Sequence, residues 1–232
     1  MKLNQYIPSK FTLFIRRLRY YLYGEKFYKK LNYDWNKHQS RFEIINSIIE
    51  KKNFKSYLEI GCQADINFSK INISKKIGVD PNDGGTHRMT SDDFFDQNKE
   101  SFDLIFIDGL HEYEQVKKDI VNSIKHLNKE GIIILHDCLP SKIWHQTIPQ
   151  THKSWNGDVW KALVECRTRL DIDTYTCTAD HGLGIIFNRK NQNILNLDIK
   201  NFKSLRFKDY YDNHNLYMNL ISENELYQLI NK

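Results

Sequence analysis

The stretch Phe102–Leu135, FDLIFIDGLHEYEQVKKDIVNSIKHLNKEGIIIL, decides the fold of this chain. Its two apolar runs, Phe102–Ile107 and the strongly β-branched Gly131–Leu135, are too short for buried helices, so both predict strands. Between the runs, apolar residues recur at steps of three and four positions: Val116, Ile120, Ile124 and Leu127. This spacing predicts a helix over Glu112–Leu127. A strand, a helix and a strand in that order indicate two parallel strands joined by a right-handed crossover.

Shorter signals on both sides extend the pattern. Further strands are predicted at Ser56–Ile60, Lys76–Asp80, Asp171–Cys177 and Leu183–Asn188. Further helices are predicted at residues 11–30, Lys37–Lys52 and Asp158–Arg169, and a capping-box sequence opens a last short helix at Ser222–Glu225. We therefore predict an α/β fold with a doubly wound, mostly parallel sheet over residues 53–190. A helical N-terminal extension, residues 1–52, precedes the sheet, and a helical tail, residues 191–232, belongs to the same globular unit.

The composition is that of an ordinary globular protein. Of the 232 residues, 40% are apolar and 27% are charged, which excludes the disordered and fibrous classes. Apolar stretches such as Ile132–Leu135 are far shorter than the ~20 residues of a membrane-spanning helix, and Met1–Lys30 lacks the pattern of a secretory signal. No Cys-x-x-Cys pair occurs, so neither a zinc knuckle nor a disulfide framework is indicated. We expect a reduced, cytoplasmic protein.

The positive charge is concentrated at the N-terminus. The net charge of the chain is +5, but residues 1–30 contain eight lysines and arginines against one acidic residue, Glu25. The other 202 residues therefore carry a net charge of −2, which argues against a nucleic-acid-binding surface. Apolar residues recur at helical spacing in the same segment: Phe11, Phe14, Leu18, Tyr21 and Leu22.

Three interpretations of residues 1–30 follow from this pattern. The segment is an interfacial helix at the inner face of an anionic membrane, or it is an arm that docks on another subunit, including a second copy in a homo-oligomer. In the third interpretation it is a terminal helix that packs on its own domain and turns a solvated basic face outwards.

Chemically useful residues follow the predicted strands, at the edge where parallel sheets bind ligands. Gly61 follows the first strand, and Asp80 ends the second strand, where an acceptor for ribose hydroxyls would stand. The Gly-x-Gly-x-x-Gly fingerprint is absent because only Gly61 remains, which weakens a dinucleotide interpretation. Each of the next two strands is followed by an Asp and a His: Asp108, His111, His136 and Asp137.

Carboxylate and imidazole groups in this mixture suit Mg²⁺, Mn²⁺, Fe²⁺ or Zn²⁺. A histidine is also the natural general base at neutral pH. The alternative for the second pair is structural: Asp137 caps the following turn, and His136 is a hydrogen-bonded, buried imidazole.

Five segments together resemble the class I S-adenosylmethionine-dependent methyltransferases: Tyr57–Gly61, Ile77–Pro81, Thr90–Phe95, Phe102–Tyr113 and Gly131–Pro140. The resemblance covers residues 57–188 and is strongest from Asp103 to Asp137. Within that superfamily it is closest to the branch that contains macrolide-sugar O-methyltransferases and many uncharacterised bacterial proteins. It implies a Rossmann-like fold in which residues 53–190 form the S-adenosylmethionine-binding domain.

The resemblance implies roles for the cofactor-binding residues. Gly61 would lie against the methionine part of S-adenosylmethionine, and Glu59 would support the loop that contains it. Asp80 would accept hydrogen bonds from the ribose hydroxyls. Three further residues would border the cofactor, the first two beside its adenine: Ser91, Asp92 and Asp108.

The resemblance also implies a metal site and a general base. The matching metal ligands are Asp108, His136 and Asp137, with Mg²⁺ as the family's ion, and His111 matches the family's general base beside Asp108. His136 stands where the sugar enzymes have a carboxylate, and Cys138 stands where catechol-type relatives have an amide. These departures weaken Mg²⁺ binding or favour a softer divalent metal.

Two later segments are candidates for substrate binding. Trp155, Asp158 and Trp160 would belong to a lid over the acceptor, where the tryptophan faces suit stacking on a sugar ring. In the alternative, Trp160 begins the core stripe of the next helix and Trp155 is a hydrophobic staple before it. His181, in the segment Asp180–Gly184, either reaches the same cleft or lies in a hairpin turn whose glycines allow positive φ.

We therefore predict an S-adenosylmethionine-dependent methyltransferase that methylates a sugar hydroxyl, in a surface glycan or a small glycosylated metabolite. His111 would be the general base, with or without help from a divalent metal. One alternative is a metal-independent N-methyltransferase acting on an amino sugar or a small amine. Another is a non-catalytic scaffold that keeps the fold and docks through its basic N-terminal arm.

Overall fold

The computed structural model describes residues 8–231, and its centre is one sheet of seven strands. The strands are β1 (Ser56–Ile60), β2 (Lys75–Val79), β3 (Phe102–Ile107), β4 (Leu127–Leu135), β5 (Asp173–Cys177), β6 (Leu183–Phe187) and β7 (Leu220–Ile221). Their order in the sheet is β2-β1-β3-β4-β6-β5-β7. The first four strands are parallel, β6 runs antiparallel to β4 and β5, and β7 is parallel to β5. This mostly parallel sheet confirms the predicted α/β fold class.

Helices cover both faces and one end of the sheet. The α-helices are α1 (Lys10–Tyr23), α2 (Arg41–Lys52), α3 (Ser91–Gln97), α4 (Tyr113–Lys125), α5 (Val159–Cys166), α6 (Phe207–Asp212), α7 (His214–Met218) and α8 (Glu223–Ile230). Short 3-10 helices occupy Trp35–Lys37, Phe68–Lys70, Ile143–His145 and Phe202–Ser204. α4 agrees closely with its prediction. α2 begins at Arg41 rather than at Lys37 because Ser40 and Glu43 form a capping box, in which the Ser40 N–H donates to Glu43 Oε2 at 2.8 Å.

The sheet carries an apolar cluster on each face because side chains alternate along every strand. In β1, Leu58 and Ile60 belong to the cluster that includes α4 and α5, whereas Tyr57 belongs to the cluster that includes α2 and α8. Strands that are buried on both faces read as continuous apolar runs, which explains the sequence Ile132–Leu135. Because the strands are buried in this way, their ends have defined positions, and so do the polar residues that follow them.

The C-terminal tail contributes a strand as well as helices. In β7, Leu220 lies opposite Thr176 of β5. The helix α8 packs beside α2, where the Tyr227 hydroxyl donates to Gln39 Oε1 at 2.5 Å. The prediction of a purely helical tail is therefore incomplete, since a two-residue strand is too short to leave a periodic signal.

The helix α1 contacts the rest of the protein through one narrow face. Leu13 is its buried side chain, and the Tyr20 ring packs edge-on against Trp144 with ring centroids 5.5 Å apart. The opposite face is apolar and exposed. As in the third interpretation, α1 is a terminal helix that packs on its own domain. Its exposed side, however, is apolar rather than purely basic. Within residues 8–231, every helix is too short or too polar to cross a membrane.

Candidate active site

The turns after β1 and β3 touch each other at the edge of the sheet. Gly61 has a φ of 89°, and a Cβ placed there would lie 2.3 Å from the Asp108 carbonyl oxygen. Only glycine fits this left-handed, closely packed position. In the strand order, β1 stands between β2 and β3, so the chain leaves β1 on one side and later returns on the other. Open parallel sheets bind their ligands at such a switch point.

The loop after Gly61 keeps left-handed backbone at two residues that are not glycine. Gln63 and Asp65 have φ values of 50° and 58°. An aspartate tolerates this conformation better than most residues, and the Asp65 carboxylate also accepts from the Gly85 N–H at 2.7 Å. The loop therefore holds its shape through side-chain contacts, although the glycine fingerprint is absent from the sequence.

Asp80, which the family resemblance assigns to the ribose hydroxyls, is 1% exposed and already hydrogen-bonded. Its Oδ2 accepts from the Gln63 N–H at 2.9 Å, and its Oδ1 accepts from the N–H groups of Asn82 and Asp83 at 2.8 and 3.0 Å. A carboxylate offers about four acceptor positions, of which three are used, and because the side chain is buried a ribose can reach it only when a neighbouring loop moves. Asp80 thus holds two loops together, and its contact with a nucleoside requires residues 81–86 to move.

Glu59 supports the Gly61 loop from beneath the sheet edge. Its Oε2 accepts from the Tyr57 hydroxyl at 2.5 Å and from Asn67 Nδ2 at 2.8 Å. Burial raises the pKa of Glu59 to about 7. Because Asn67 lies just beyond the loop, Glu59 ties the end of that loop to β1.

Ser91 and Asp92 open α3 and face the beginning of α4. The Ser91 hydroxyl donates to Asp119 Oδ1 at 2.7 Å, and Gln115 Nε2 donates to Ser91 Oγ at 3.2 Å and to Asp92 Oδ1 at 3.1 Å. Burial raises the pKa of Asp119 to about 6. The predicted adenine contacts therefore lie in an organised polar corner between α3 and α4, and their contact with a cofactor stays a prediction.

Three polar side chains converge where β3 and β4 end: Asp108, His111 and Asp137. His111 Nε2 lies 3.2 Å from Asp108 Oδ1, and His111 Nδ1 lies 3.4 Å from Asp137 Oδ2. One ligand atom from each residue lies within 4.8 Å of the other two. Two carboxylates and an imidazole are a donor set that divalent transition metals accept. The trio therefore fits a divalent metal ion by its chemistry and by its spacing.

His136 lies beside the trio, but neighbouring residues contact both of its ring nitrogens. Nδ1 is 3.1 Å from Asp108 Oδ1, while Nε2 is 2.9 Å from Arg41 Nη1 and 3.1 Å from Asp180 Oδ1. A guanidinium only donates, so Arg41 needs an unprotonated Nε2, whereas Asp180 favours a protonated one. His111 supplies the third converging ligand atom of the trio, and the role of His136 as a metal ligand stays a prediction. His136 matches the structural alternative of a hydrogen-bonded, buried imidazole.

Opposite charges in the cluster shift one another's pKa values. Burial alone would raise the pKa of Asp108 and Asp137, but the neighbouring imidazoles outweigh it and hold both values below the usual range. Burial lowers the pKa of His111 and His136, but the carboxylates outweigh it and raise both, that of His136 well above its usual value. The positive charge that these shifts favour on the imidazoles, together with Arg41, offsets the negative charge of Asp108, Asp137 and Asp180.

A short segment before α5 holds His111 and Asp137 in place. The Trp155 ring stacks on the His111 ring with centroids 5.4 Å apart, and the Trp155 carbonyl oxygen lies 3.3 Å from His111 Nδ1. Asn156 Nδ2 donates to Asp137 Oδ1 at 2.7 Å. Gly157 has a φ of 61°, and a Cβ there would lie 1.8 Å from the His111 carbonyl oxygen. Trp155 therefore lies beside the trio, and its contact with a substrate stays a prediction.

Asp158 and Trp160 have structural positions instead. Asp158 is buried, and its Oδ1 accepts from the Tyr113 N–H at 2.6 Å, at the start of α4. Trp160 is completely buried, donates from Nε1 to Gln146 Oε1 at 2.8 Å and packs against the Tyr210 ring. Both side chains thus have structural contacts, Asp158 at the start of α4 and Trp160 in the core, as in the alternative interpretation of Trp160, and substrate contact by either stays a prediction.

The turn between β5 and β6 combines both interpretations of its sequence. It is a hairpin turn in which Asp180 and His181 have positive φ, and the His181 ring also faces the His136 ring with centroids 6.1 Å apart. Substrate contact by His181 stays a prediction.

Cys138 is fully buried, and burial raises the pKa of its thiol, so it is unsuited to be a nucleophile.

Sequence reasoning missed three residues of the cluster. Asn156 and Asp180 lie in segments that the sequence singled out, but only their neighbours were chosen. Arg41 begins α2 and reaches the strand edge from 95 residues before His136. No local signal marks it, because only the packing of α2 on the sheet brings it there.

Comparison with known proteins adds an independent observation. Residues 48–138, which include the Gly61 loop and the polar trio, match the family model described as a methyltransferase domain. No curated protein matches the chain.

Solved structures share the fold of this chain at low sequence identity. An S-adenosylhomocysteine (SAH)-bound methyltransferase from Podospora anserina, PaMTH1, has a TM-score of 0.51 and 14% identity, covering 82% of this chain and 100% of that chain. Cofactor-bound Rv0187 from MTB has a TM-score of 0.50 and 11% identity, covering 79% and 99%. An O-methyltransferase from Bacillus cereus in complex with SAH has a TM-score of 0.49 and 10% identity, covering 80% and 94%. The likeness to PaMTH1 agrees with the predicted class I, Rossmann-like methyltransferase fold.

Proposed function

We propose that this chain is an S-adenosylmethionine-dependent O-methyltransferase. The observation that carries the proposal is the backbone contact between Gly61 and Asp108, which leaves only 2.3 Å for a Cβ. This contact puts the expected cofactor loop directly beside the trio of Asp108, His111 and Asp137. A methyl donor on the loop and an acceptor at the trio would be immediate neighbours, as a displacement between two bound molecules requires.

The loop residues fit the cofactor once one segment moves. Gly61 allows the backbone to approach a ligand closely, and Glu59 and Asn67 stabilise the loop behind it. Asp80 becomes a ribose acceptor when residues 81–86 release one of its oxygens. When bound, S-adenosylmethionine supplies an electrophilic methyl group on a sulfonium and leaves as SAH.

His111 is the group best placed to take a proton from the acceptor hydroxyl. With the proton on Nδ1, its ring can donate to the Trp155 carbonyl, which leaves Nε2 as the acceptor on the side of Asp108. The hydroxyl oxygen then bonds to the methyl carbon, the electrons of the carbon–sulfur bond pass to sulfur, and His111 later releases the proton to water.

Asp108 and Asp137 would hold a divalent ion, which supplies positive charge beside the acceptor oxygen. The carboxylates raise the pKa of His111, so a base at this position works best when their charge is partly neutralised. A metal held by Asp108 and Asp137 is therefore compatible with a neutral His111. If His111 instead completed the ligand set of such an ion, it would not be available as the base.

For the acceptor we infer a sugar hydroxyl, in a surface glycan or a small glycosylated metabolite. The Trp155 ring borders His111, and its flat apolar face suits the carbon side of a sugar ring. His181, on the other side of His136, offers a second polar edge to such a ring. Asp158 and Trp160 take no part in this proposal, because both are buried elsewhere.

Calorimetric titration of the full chain with SAH, in Mn²⁺ and again in EDTA, tests the cofactor. We expect binding in at least one condition, and no binding in either would overturn the enzyme proposal in favour of the scaffold. Methyl transfer from tritiated S-adenosylmethionine to a panel of glycosides then tests the base. His111→Asn should keep SAH binding but lose at least about 100-fold in turnover, whereas the control His126→Asn, at the end of α4, should keep turnover.

Metal-independent N-methyl transfer is the second candidate. The observation in its favour is that Arg41 and the two imidazoles can balance the three carboxylates without any ion. An amine acceptor is a better nucleophile than a hydroxyl and needs no charge beside it. Turnover on amino sugars that survives EDTA would select this candidate, and turnover on hydroxyl acceptors that EDTA abolishes would reject it.

A further inference from the structure

The outward side of α1 is a continuous apolar surface. Six side chains form it and are each between 46 and 72% exposed: Phe11, Phe14, Ile15, Leu18, Tyr21 and Leu22. Their spacing of three and four residues places them on one side of the helix. We call this surface the apolar face of α1. A monomeric protein rarely leaves so large an apolar patch in water, so the patch indicates a surface that meets a partner.

The helix is fixed from its other side, so the apolar face has a defined position. Arg16 Nη1 donates to the Gln150 carbonyl at 3.4 Å, and Arg17 Nη2 donates to the Thr151 carbonyl at 3.2 Å. A shallow groove of about 220 Å³ runs along the junction, lined by Phe14, Arg17, Leu18, Tyr21 and Trp144. The domain thus presents α1 with its apolar face outwards and a groove at its edge.

The charge exposed around this face is positive. Exposed basic residues accompany it along and after the helix: Lys10, Arg17, Arg19, Lys26, Lys29 and Lys30. Glu25 is the acidic residue of the segment, and its two oxygens accept from the Phe207 and Lys208 N–H groups at 2.9 and 2.8 Å. The Glu25 carboxylate therefore caps the N-terminus of α6, and its negative charge is directed towards that helix.

We propose that the apolar face of α1 binds the surface of an anionic lipid bilayer. Large apolar and aromatic residues on one side of a helix, with lysines and arginines beside them, are what interfacial helices use. Anionic headgroups attract basic segments next to such a helix. A second copy of the chain is the less favoured partner, because pairing two of these faces would bring two strongly basic segments together.

Vesicle flotation of the full chain tests the proposal. We expect binding to vesicles of equal parts phosphatidylcholine and phosphatidylglycerol, weak binding to phosphatidylcholine alone, and release at high salt. Phe14→Ser combined with Leu18→Ser should reduce the partition coefficient at least about tenfold. The matched control is Leu170→Ser combined with Leu216→Ser, two leucines that are also exposed but lie outside α1.

A second variant and a second measurement separate the alternatives. Arg19→Gln combined with Lys26→Gln should weaken binding to phosphatidylglycerol vesicles while leaving the apolar face intact. Sedimentation velocity without lipid should give a monomer. The proposal is refuted if the α1 and control variants bind vesicles equally well. It is also refuted if the chain forms a dimer that the Phe14 and Leu18 changes dissociate and that does not float.

Discussion

Replacing Gly61 with alanine should damage both stability and the geometry of the site. At a φ of 89°, any other residue is strained by about 1–2 kcal/mol. The new Cβ would lie 2.3 Å from the Asp108 carbonyl oxygen, whereas real Cβ contacts are not found below 3.0 Å. The two turns must therefore separate, and we expect Gly61→Ala to lower the free energy of unfolding by roughly 2–4 kcal/mol in total.

The same movement should reach the chemistry, because Asp108 belongs to the polar trio. Increasing the distance between the new Cβ and the Asp108 carbonyl oxygen from 2.3 to 3.0 Å requires a shift of about 0.7 Å. Misplacements of about 1 Å cost up to roughly 100-fold in rate. We expect reduced affinity for SAH and for Mn²⁺ in calorimetry, beyond the effect on stability.

Gly109→Ala is the matched control for this prediction. A Cβ at Gly109 would lie 3.4 Å from Ile60 Cγ2, an ordinary contact on the same pair of turns. Its cost in urea unfolding should stay below about 1 kcal/mol. Equal stability and equal SAH affinity for Gly61→Ala and Gly109→Ala would refute the close approach of the two turns.

Three further predictions concern the loops and the trio. Burial raises the pKa of Glu59 from 4.5 to about 7, so between these pH values the folded state binds more protons than the unfolded state. The free energy of unfolding therefore falls as pH rises through this range, by up to about 3 kcal/mol. Urea unfolding at pH values on either side of the range should show this fall for the unmodified protein and not for Glu59→Gln. SAH should accelerate hydrogen exchange at the Asn82 and Asp83 N–H groups if Asp80 turns to the ribose, and unchanged exchange with SAH bound would contradict that movement. Asp137→Asn should lower Mn²⁺ affinity at least about tenfold, whereas Asp96→Asn, on the exposed side of α3, should leave it unchanged.

The fold could be predicted because its signals are local. The strands β3 and β4 are short apolar runs and α4 has a clear helical period, so the parallel crossover follows from one stretch of sequence. The same locality explains the errors. Trp155 and Trp160 are five positions apart, but Trp160 lies in α5, where every residue except Glu165 is buried, whereas Trp155 precedes that helix. The sequence does not show where this burial begins.

The site could be predicted down to its strand ends but not to its contacts. Asp108, His111 and Asp137 follow apolar runs, and the parallel sheet brings them together. Both His111 and His136 lie beside Asp108, and which imidazole would bind an ion depends on side-chain contacts that the sequence does not show. Arg41, which contacts His136, comes from a distant helix whose packing no local pattern reveals.

The two sides of the candidate site differ in rigidity, because one follows buried strands and the other is a connecting segment. Asp108 and Asp137 follow strands inside a close-packed sheet, where a change of backbone is costly. Trp155 and Asn156 belong to residues 141–157, a connecting segment whose regular structure is the short turn Ile143–His145. Connecting segments tolerate substitution far better than strands. If the proposed function holds, exchanging residues 141–157 between relatives should change the acceptor that is methylated and leave cofactor binding unchanged.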